Sequence, residues 1–278
     1  MLRKVGLVLL LVTAAVVGWL LGRQPQRDFL ACLSVGQGDC AVLSSNGLAV
    51  LIDAGPKSGG YDAGERLVLP ALRRLGVVGV DLVLLSHPDI DHIGGIGAIH
   101  RAFPRAKIAA SAEFREWPSM VEHLRSLGVD PGEVLWLPPD STVSIGQMQL
   151  RIWCPSMAGR ENDNDGSMFV HVVDGRAAAT FSGDAPAAVE SSALSHGDWS
   201  GQVLKAGHHG SRTATSQAWL DAVRPRVAVL SVGRNNRYGH PHPEIVDRLQ
   251  AVGIEVWRTD RQGDAVFDVG SNGFVIRR

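Results

Sequence analysis

A layered α/β (α+β) fold is what this sequence predicts, on three observations. Short apolar runs alternate with helical patterns, turn residues punctuate them throughout, and His and Asp residues gather just past the ends of the apolar runs. With 278 residues, 45% hydrophobic and 20% charged, the chain is long enough to bury a large core, and its 32 glycines imply many tight turns.

The first segment stands apart from that pattern. Arg3 and Lys4 precede an uncharged run from Val5 to Gly22, followed by Arg23 and Arg27. Residues 1–26 are therefore expected to form a transmembrane anchor or a signal segment. Retained, it gives a single-pass membrane protein with its main domain outside the cytoplasm; cleaved, an exported or periplasmic one. Leu30-Ala31-Cys32 superficially suits lipid attachment, but Arg27 and Asp28 separate it from the apolar run, and it reads better as a strand.

Residues 27–278 are expected to be one domain. Phe29 to Val35, Cys40 to Leu43 and Leu48 to Ile52 read as consecutive antiparallel strands. Glu65 to Leu75 carries the apolar face of a helix, and Asp81 to Ser86 reads as a buried strand. Further strands are predicted at 107–110, 134–137, 149–153, 168–173, 177–181, 203–206, 227–231, 255–258 and 265–269, with helices at 117–127, 216–223 and 243–252. Cys32, Cys40 and Cys154 share no C-x-x-C pairing and are odd in number, so they read as small core residues. A net charge of -1 disfavours a general DNA-coating role while leaving room for a locally basic groove.

The chemistry sits at four strand ends. His87-Pro88-Asp89-Ile90-Asp91-His92 follows the strand at 81–86, Asp184 follows 177–181, His208 and His209 follow 203–206, and His240 and His242 lie beyond 227–231. Imidazole and carboxylate together suit divalent zinc, manganese or iron. Residues two apart in an extended segment share a side, so His87, Asp89 and Asp91 converge, with Gly94 and Gly95 allowing a sharp turn after them. A carboxylate such as Asp184 bridges two cations and lets them activate a water.

These residues resemble the metallo-β-lactamase superfamily, and more narrowly the extracytoplasmic hydrolase domain of ComEC-type DNA-uptake proteins. The resemblance rests on Val35 to Asp39, Ile52 to Gly55, Ser86 to Gly95, Asn164 to Ser167, Ser182 to Asp184, Lys205 to Ser211 and Tyr238 to Glu244, in the family's order. It implies an αββα sandwich holding two divalent metal ions, zinc or manganese. Carried over, His87, Asp89, Asp91, His92, Asp184 and His209 are metal ligands; Asp91, His208 and His240 are catalytic; and Asp39 and Asp53 support the site. Asn164, Ser167, His208, Arg237 and His240 are the expected substrate contacts, and Arg212 and Arg234 are additional cations in site-adjacent loops.

Asp89 stands where the superfamily more often has histidine, and Asn164-Asp165-Gly166-Ser167 stands at a third motif that usually carries one. Both features are shared with the ComEC-like branch, and the oxygen-rich site they leave shifts the expectation from zinc toward manganese. Unlike those channels this chain has at most one membrane segment, so a separate channel protein is the expected partner if uptake is the role. The leading expectation is hydrolysis of phosphodiesters, DNA foremost. The alternatives are a small-substrate hydrolase (choline-phosphate esterase, lactamase or thioesterase type) and a non-catalytic, metal-stapled binding domain.

Overall fold

The structure is a computed structural model that describes residues 28–160 and 162–278, so the expected anchor at 1–26 lies outside the described residues. Among the described residues no helix is long and apolar enough to cross a membrane.

In chain order, β1 (Phe29–Cys32), β2 (Ala41–Ser45) and β3 (Leu48–Ile52) lead into a small hairpin, β4 (Lys57–Ser58) and β5 (Tyr61–Asp62). Then come β6 (Leu82–Leu85), β7 (Lys107–Ser111) and β8 (Leu135–Leu137). The second half supplies β9 (Asp140–Ile145), β10 (Met148–Trp153), β11 (Phe169–Asp174), β12 (Ala177–Phe181), β13 (Val203–Lys205), β14 (Val227–Leu230) and β15 (Glu255–Arg258). Finally β16 (Ala265–Gly270) and β17 (Gly273–Ile276) return to the first half.

These strands build an eight-stranded sheet, β17-β16-β1-β2-β3-β6-β7-β8, and a seven-stranded sheet, β15-β14-β13-β12-β11-β10-β9. The first three strands are antiparallel, as expected, and Asn46-Gly47, both at positive φ, closes the two-residue β2–β3 turn. In each sheet the later pairings, β3-β6-β7-β8 and β12-β13-β14-β15, are parallel and joined by helical crossovers.

Period-two alternation assigns the layers. In β3, Val50 and Ile52 join Leu30, Leu43 and Leu84 against Leu150, Val170, Val172 and Phe181 of the other sheet, whereas Ala49 and Leu51 face outward. Leu72, Ile96, Ile99 and Leu124 cover the first sheet's outer face, and Trp199, Trp219, Leu220, Ile245 and Leu249 cover the second's. The result is the αββα sandwich.

Cys32 is buried in β1 opposite Ala41 and Ala265, in keeping with a strand rather than an attachment site, and Cys40 and Cys154 are buried and free. Burial pushes the Cys32 and Cys154 thiols up to about 12, so these sulfurs are inert packing. The helix expected at Glu65 to Leu75 begins as a π-helical turn over Gly64–Val68 and becomes α-helical only at Leu69–Arg74, with Pro70 in its first turn where no amide proton is needed. Gly94 and Gly95 correct a second expectation. Both have ordinary helical φ, and glycine is needed there for close approach: a Cβ on Gly95 would sit 2.1 Å from the Ala54 carbonyl oxygen.

Candidate metal centre

The carboxyl ends of β3, β6, β12, β13 and β14 open on one edge of the sandwich, the place where parallel sheets deliver functional loops. After β6 the chain bends at His87 and Pro88, is extended at Asp89 and then turns into a one-turn helix at Ile90–Ile93. The run from His87 to Asp91 is therefore not one extended segment, and the expectation that it is stands corrected. Asp89 lies 3.5 Å from His87, while Asp91, on the helix, reaches His209 at 3.3 Å.

His87, His92 and His209 share one arrangement. His87 Nδ1 donates to Ser86 Oγ at 2.9 Å, His92 Nδ1 to Asp53 Oδ2 at 2.8 Å, and His209 Nδ1 to the Ser231 carbonyl at 2.9 Å. Ser86 accepts from His87 because its own hydroxyl is spent on Asp53 Oδ2, and its amide donates to Asp53 Oδ1. With each Nδ1 so engaged, the other nitrogen of each ring becomes the one available to a cation. All three Nε2 atoms are buried without a hydrogen-bond partner, as is Asp184 Oδ1.

They are close together. His92 Nε2 lies 3.3 Å from Asp184 Oδ1, and His209 Nε2 lies 3.4 Å from Asp184 Oδ2, neither aligned as a hydrogen bond. The His87 and His92 rings are 4.1 Å apart. Buried donor atoms converging on Asp184 with nothing to satisfy them fit divalent cations, since buried polar groups otherwise find partners.

Asp39 also comes within ligand range of His92, Asp184 and His209, all within 4.8 Å. Yet its Oδ2 is already paired with the Lys205 ammonium, which sits 3.8 Å from Asp184 Oδ1. Both partners are buried, Lys205 at 3% exposure and Asp39 at 6%. We therefore place Asp39 in the supporting ring with Asp53. Lys205 is the residue that sequence reasoning missed. Its signal was a lysine closing an otherwise apolar strand, Val203–Lys205, inside the second sheet.

The loop after β13 bends through consecutive left-handed residues, His208 at φ 48° and His209 at φ 54°. Such conformations cost about 1–3 kcal/mol each and persist where surrounding structure imposes them. Here the Gly207 amide donates to Thr215 Oγ1 and the His208 amide to the Gly183 carbonyl. The bend sends His209 inward and leaves His208 half-buried at the mouth, 3.7 Å from Asp184, with Nδ1 3.2 Å from Thr213 Oγ1. His240 follows, its ring 5.8 Å from that of His208, and Tyr238 stacks on His240 at 5.7 Å.

Among the expected substrate contacts, Ser167 is fully buried and accepts the Asp184 amide at 3.1 Å, which makes it a brace for Asp184. Asn164 is half-buried in the turn Asp163–Gly166, its Oδ1 buried and unpartnered. Arg237 is exposed and bonded to the Tyr238 hydroxyl at 2.9 Å. Arg234 donates to the Asp260 carbonyl, and Arg212 is exposed.

Electrostatics divide the centre from its mouth. Burial would raise Asp184, but His209 and His92 beside it hold its carboxyl well below the usual range. Burial likewise opposes charge on His92, yet Asp184 and Asp53 raise it well above the ordinary imidazole value, and Asp184 and Asp39 raise His209. His208 is lowered by burial, and His240 is pushed down to about 4 by burial and the neighbouring His208. The mouth histidines are thus neutral at pH 7.

A pH dependence of metal loading follows. Metal-free His92 and His209 hold their protons to higher pH than an ordinary imidazole because their values are raised, and a cation displaces them, so apparent affinity rises with pH until those values are passed. Titrating metal into the metal-free chain at pH 6.5 should release protons, and fewer as pH rises. Calorimetry in buffers of different ionisation enthalpy measures this. Heats independent of buffer would refute it.

Among solved structures, the metallo-beta-lactamase fold protein YhfI from Bacillus subtilis matches with a TM-score of 0.57 at 13% identity, covering 87% of this chain and 100% of that one, a likeness of fold alone. Recombination protein 2 of Haemophilus influenzae is 32% identical over 220 residues, 78% of this chain and 26% of its own length. Competence protein ComA of Neisseria gonorrhoeae is 31% identical over 245 residues, 87% of this chain and 32% of its own. The chain thus spans about a quarter to a third of these curated relatives, and the ComEC-type resemblance drawn from the motifs agrees with them. The model of the Metallo-beta-lactamase superfamily matches residues 33–234, and the chain belongs to that superfamily.

Proposed function

We propose that this chain is a two-metal phosphodiesterase that cleaves DNA outside the cytoplasm, tethered to the membrane through residues 1–26 and serving a separate channel protein. The observation that carries the reading is the set of orphaned ligand atoms around Asp184, opening onto the neutral His208 and His240. Its likeness to proteins named for competence and recombination supports DNA as the substrate.

His87, Asp89, Asp91, His92, Asp184 and His209 would hold two divalent ions, with manganese favoured over zinc by the carboxylates. Bound there, such ions supply Lewis-acid polarisation of a phosphate and a water acidic enough to attack at neutral pH. Ser86, Asp53 and the Ser231 carbonyl orient the imidazoles beforehand. His208, with Nδ1 steadied by Thr213, offers its other ring nitrogen at the mouth to a phosphate oxygen. His240, held neutral, serves by hydrogen bonding to the leaving oxygen rather than as an imidazolium acid.

The test is a parallel assay of the manganese- or zinc-loaded full chain in mild detergent, on single-stranded DNA, bis(p-nitrophenyl) phosphate and a chromogenic lactam. Hydrolysis of both phosphodiesters is expected. Turnover of the lactam alone would sink the reading, and so would inactivity toward all three.

A further inference from the structure

Beyond the metal centre, one loop is more firmly built than its exposure requires. The carboxamide of Asn236 makes four hydrogen bonds within its own segment. Its Nδ2 donates to the carbonyls of Gly233 and His240, at 3.1 and 2.6 Å, and its Oδ1 accepts the amides of Tyr238 and His240, at 3.2 and 3.0 Å. The loop is anchored outside itself as well, since Gly233 N–H donates to Gln37 Oε1 and His242 N–H to the Gly210 carbonyl.

Two side chains extend outward from this fixed segment. Tyr238 is 55% exposed, and Arg237 lies with its guanidinium 5.0 Å from the Tyr238 ring centre, its hydrogen bond to the Tyr238 hydroxyl holding it in place and no carboxylate among the described residues paired with it. The rings form a continuous series from the metal site outward. His209 to His208 is 6.2 Å, His208 to His240 is 5.8 Å, and His240 to Tyr238 is 5.7 Å. An exposed aromatic beside an unpaired cation contributes little to the core. It suits a ligand with a planar group and an adjacent anion.

We propose that Tyr238 and Arg237 form a nucleotide subsite beside the reacting phosphate, taking an unpaired base against Tyr238 and a flanking phosphate against Arg237. This rests on the phosphodiesterase reading and narrows its substrate to single-stranded polynucleotide, because a base within a duplex is stacked on its neighbours and unavailable.

The experiment uses the full chain in mild detergent with metal removed, and measures fluorescence anisotropy of two labelled 20-nucleotide strands, oligothymidylate and an abasic strand with the same phosphates. Base stacking on an aromatic is worth about 1–3 kcal/mol by alanine substitution, so Tyr238→Ala should weaken oligothymidylate binding about ten-fold. It should leave the abasic strand unchanged, and Tyr238→Trp should restore the affinity. Arg237→Ala should weaken both strands alike and lower the salt slope by about one. Equal losses on the two strands for Tyr238→Ala, or none on either, would overturn the subsite. Because binding is read without metal, that failure is separate from failure of the hydrolytic reading, which bis(p-nitrophenyl) phosphate reports with metal present.

Discussion

Asp184→Ala should abolish hydrolysis of bis(p-nitrophenyl) phosphate and remove metal binding together. His92 and His209 both face this carboxylate, at 3.3 and 3.4 Å, so its loss removes the group on which the two imidazoles converge. Metal assistance is worth several kcal/mol of transition-state stabilisation, and each 1.36 kcal/mol is a decade, so turnover should fall by about a thousand-fold or more. Elemental analysis of the dialysed variant should find little metal, while circular dichroism stays close to that of the parent. A variant that keeps its metal and its rate would show that the chemistry lies elsewhere.

The second large effect is on stability. Lys205→Met should destabilise the metal-free chain by about 3–5 kcal/mol, the usual consequence of leaving one buried charge without its partner. The partner is Asp39, and both groups lie between the sheets, with Asp184 3.8 Å from the ammonium. Burial alone would lower the Lys205 pKa, but Asp39 and Asp184 outweigh it and keep the ammonium charged. For a domain of this size the loss corresponds to a melting temperature lower by about 10 °C. Asp39→Asn in the same chain should recover most of it, since no lone carboxylate then remains. If the double variant melts no higher than Lys205→Met alone, the pair is not the source of the loss.

Much of the framework was legible from pattern. Continuous short apolar runs marked β1 to β3, β6 and β11 to β14, because those strands pack between sheet and helices and tolerate few polar residues. The helix at Ala187–Ala193 was not expected, since its small residues carry a weak apolar stripe and tertiary packing around Val189 and Ala193 makes it form. The edge strand β9 was missed for the opposite reason: Ser141 is only half-buried and Thr142 is exposed, so it lacks the apolar run of an inner strand.

In the site, residue type and strand-end position were enough to collect His87, Asp89, Asp91, His92, Asp184, His208 and His209. Roles that depend on direction were not accessible. Whether Ser167 faces a substrate or braces Asp184 turns on one hydroxyl, and the Lys205–Asp39 pair joins residues far apart in sequence. Asn236 lies two residues before the stretch Tyr238 to Glu244, and its four bonds exist only once the loop has closed.

The return of β16 and β17 to the first sheet sets the order in which the domain is completed. Phe29 to Cys32 lie between β2 and β16, and their partners on the second side are Ala265 to Asp268. During synthesis one flank of the first described strand therefore stays open until residues 265–268 have been made. Closing that gap is a long-range pairing, the slow kind. Among the described residues, β1 is thus enclosed only after every strand of the second sheet has been made.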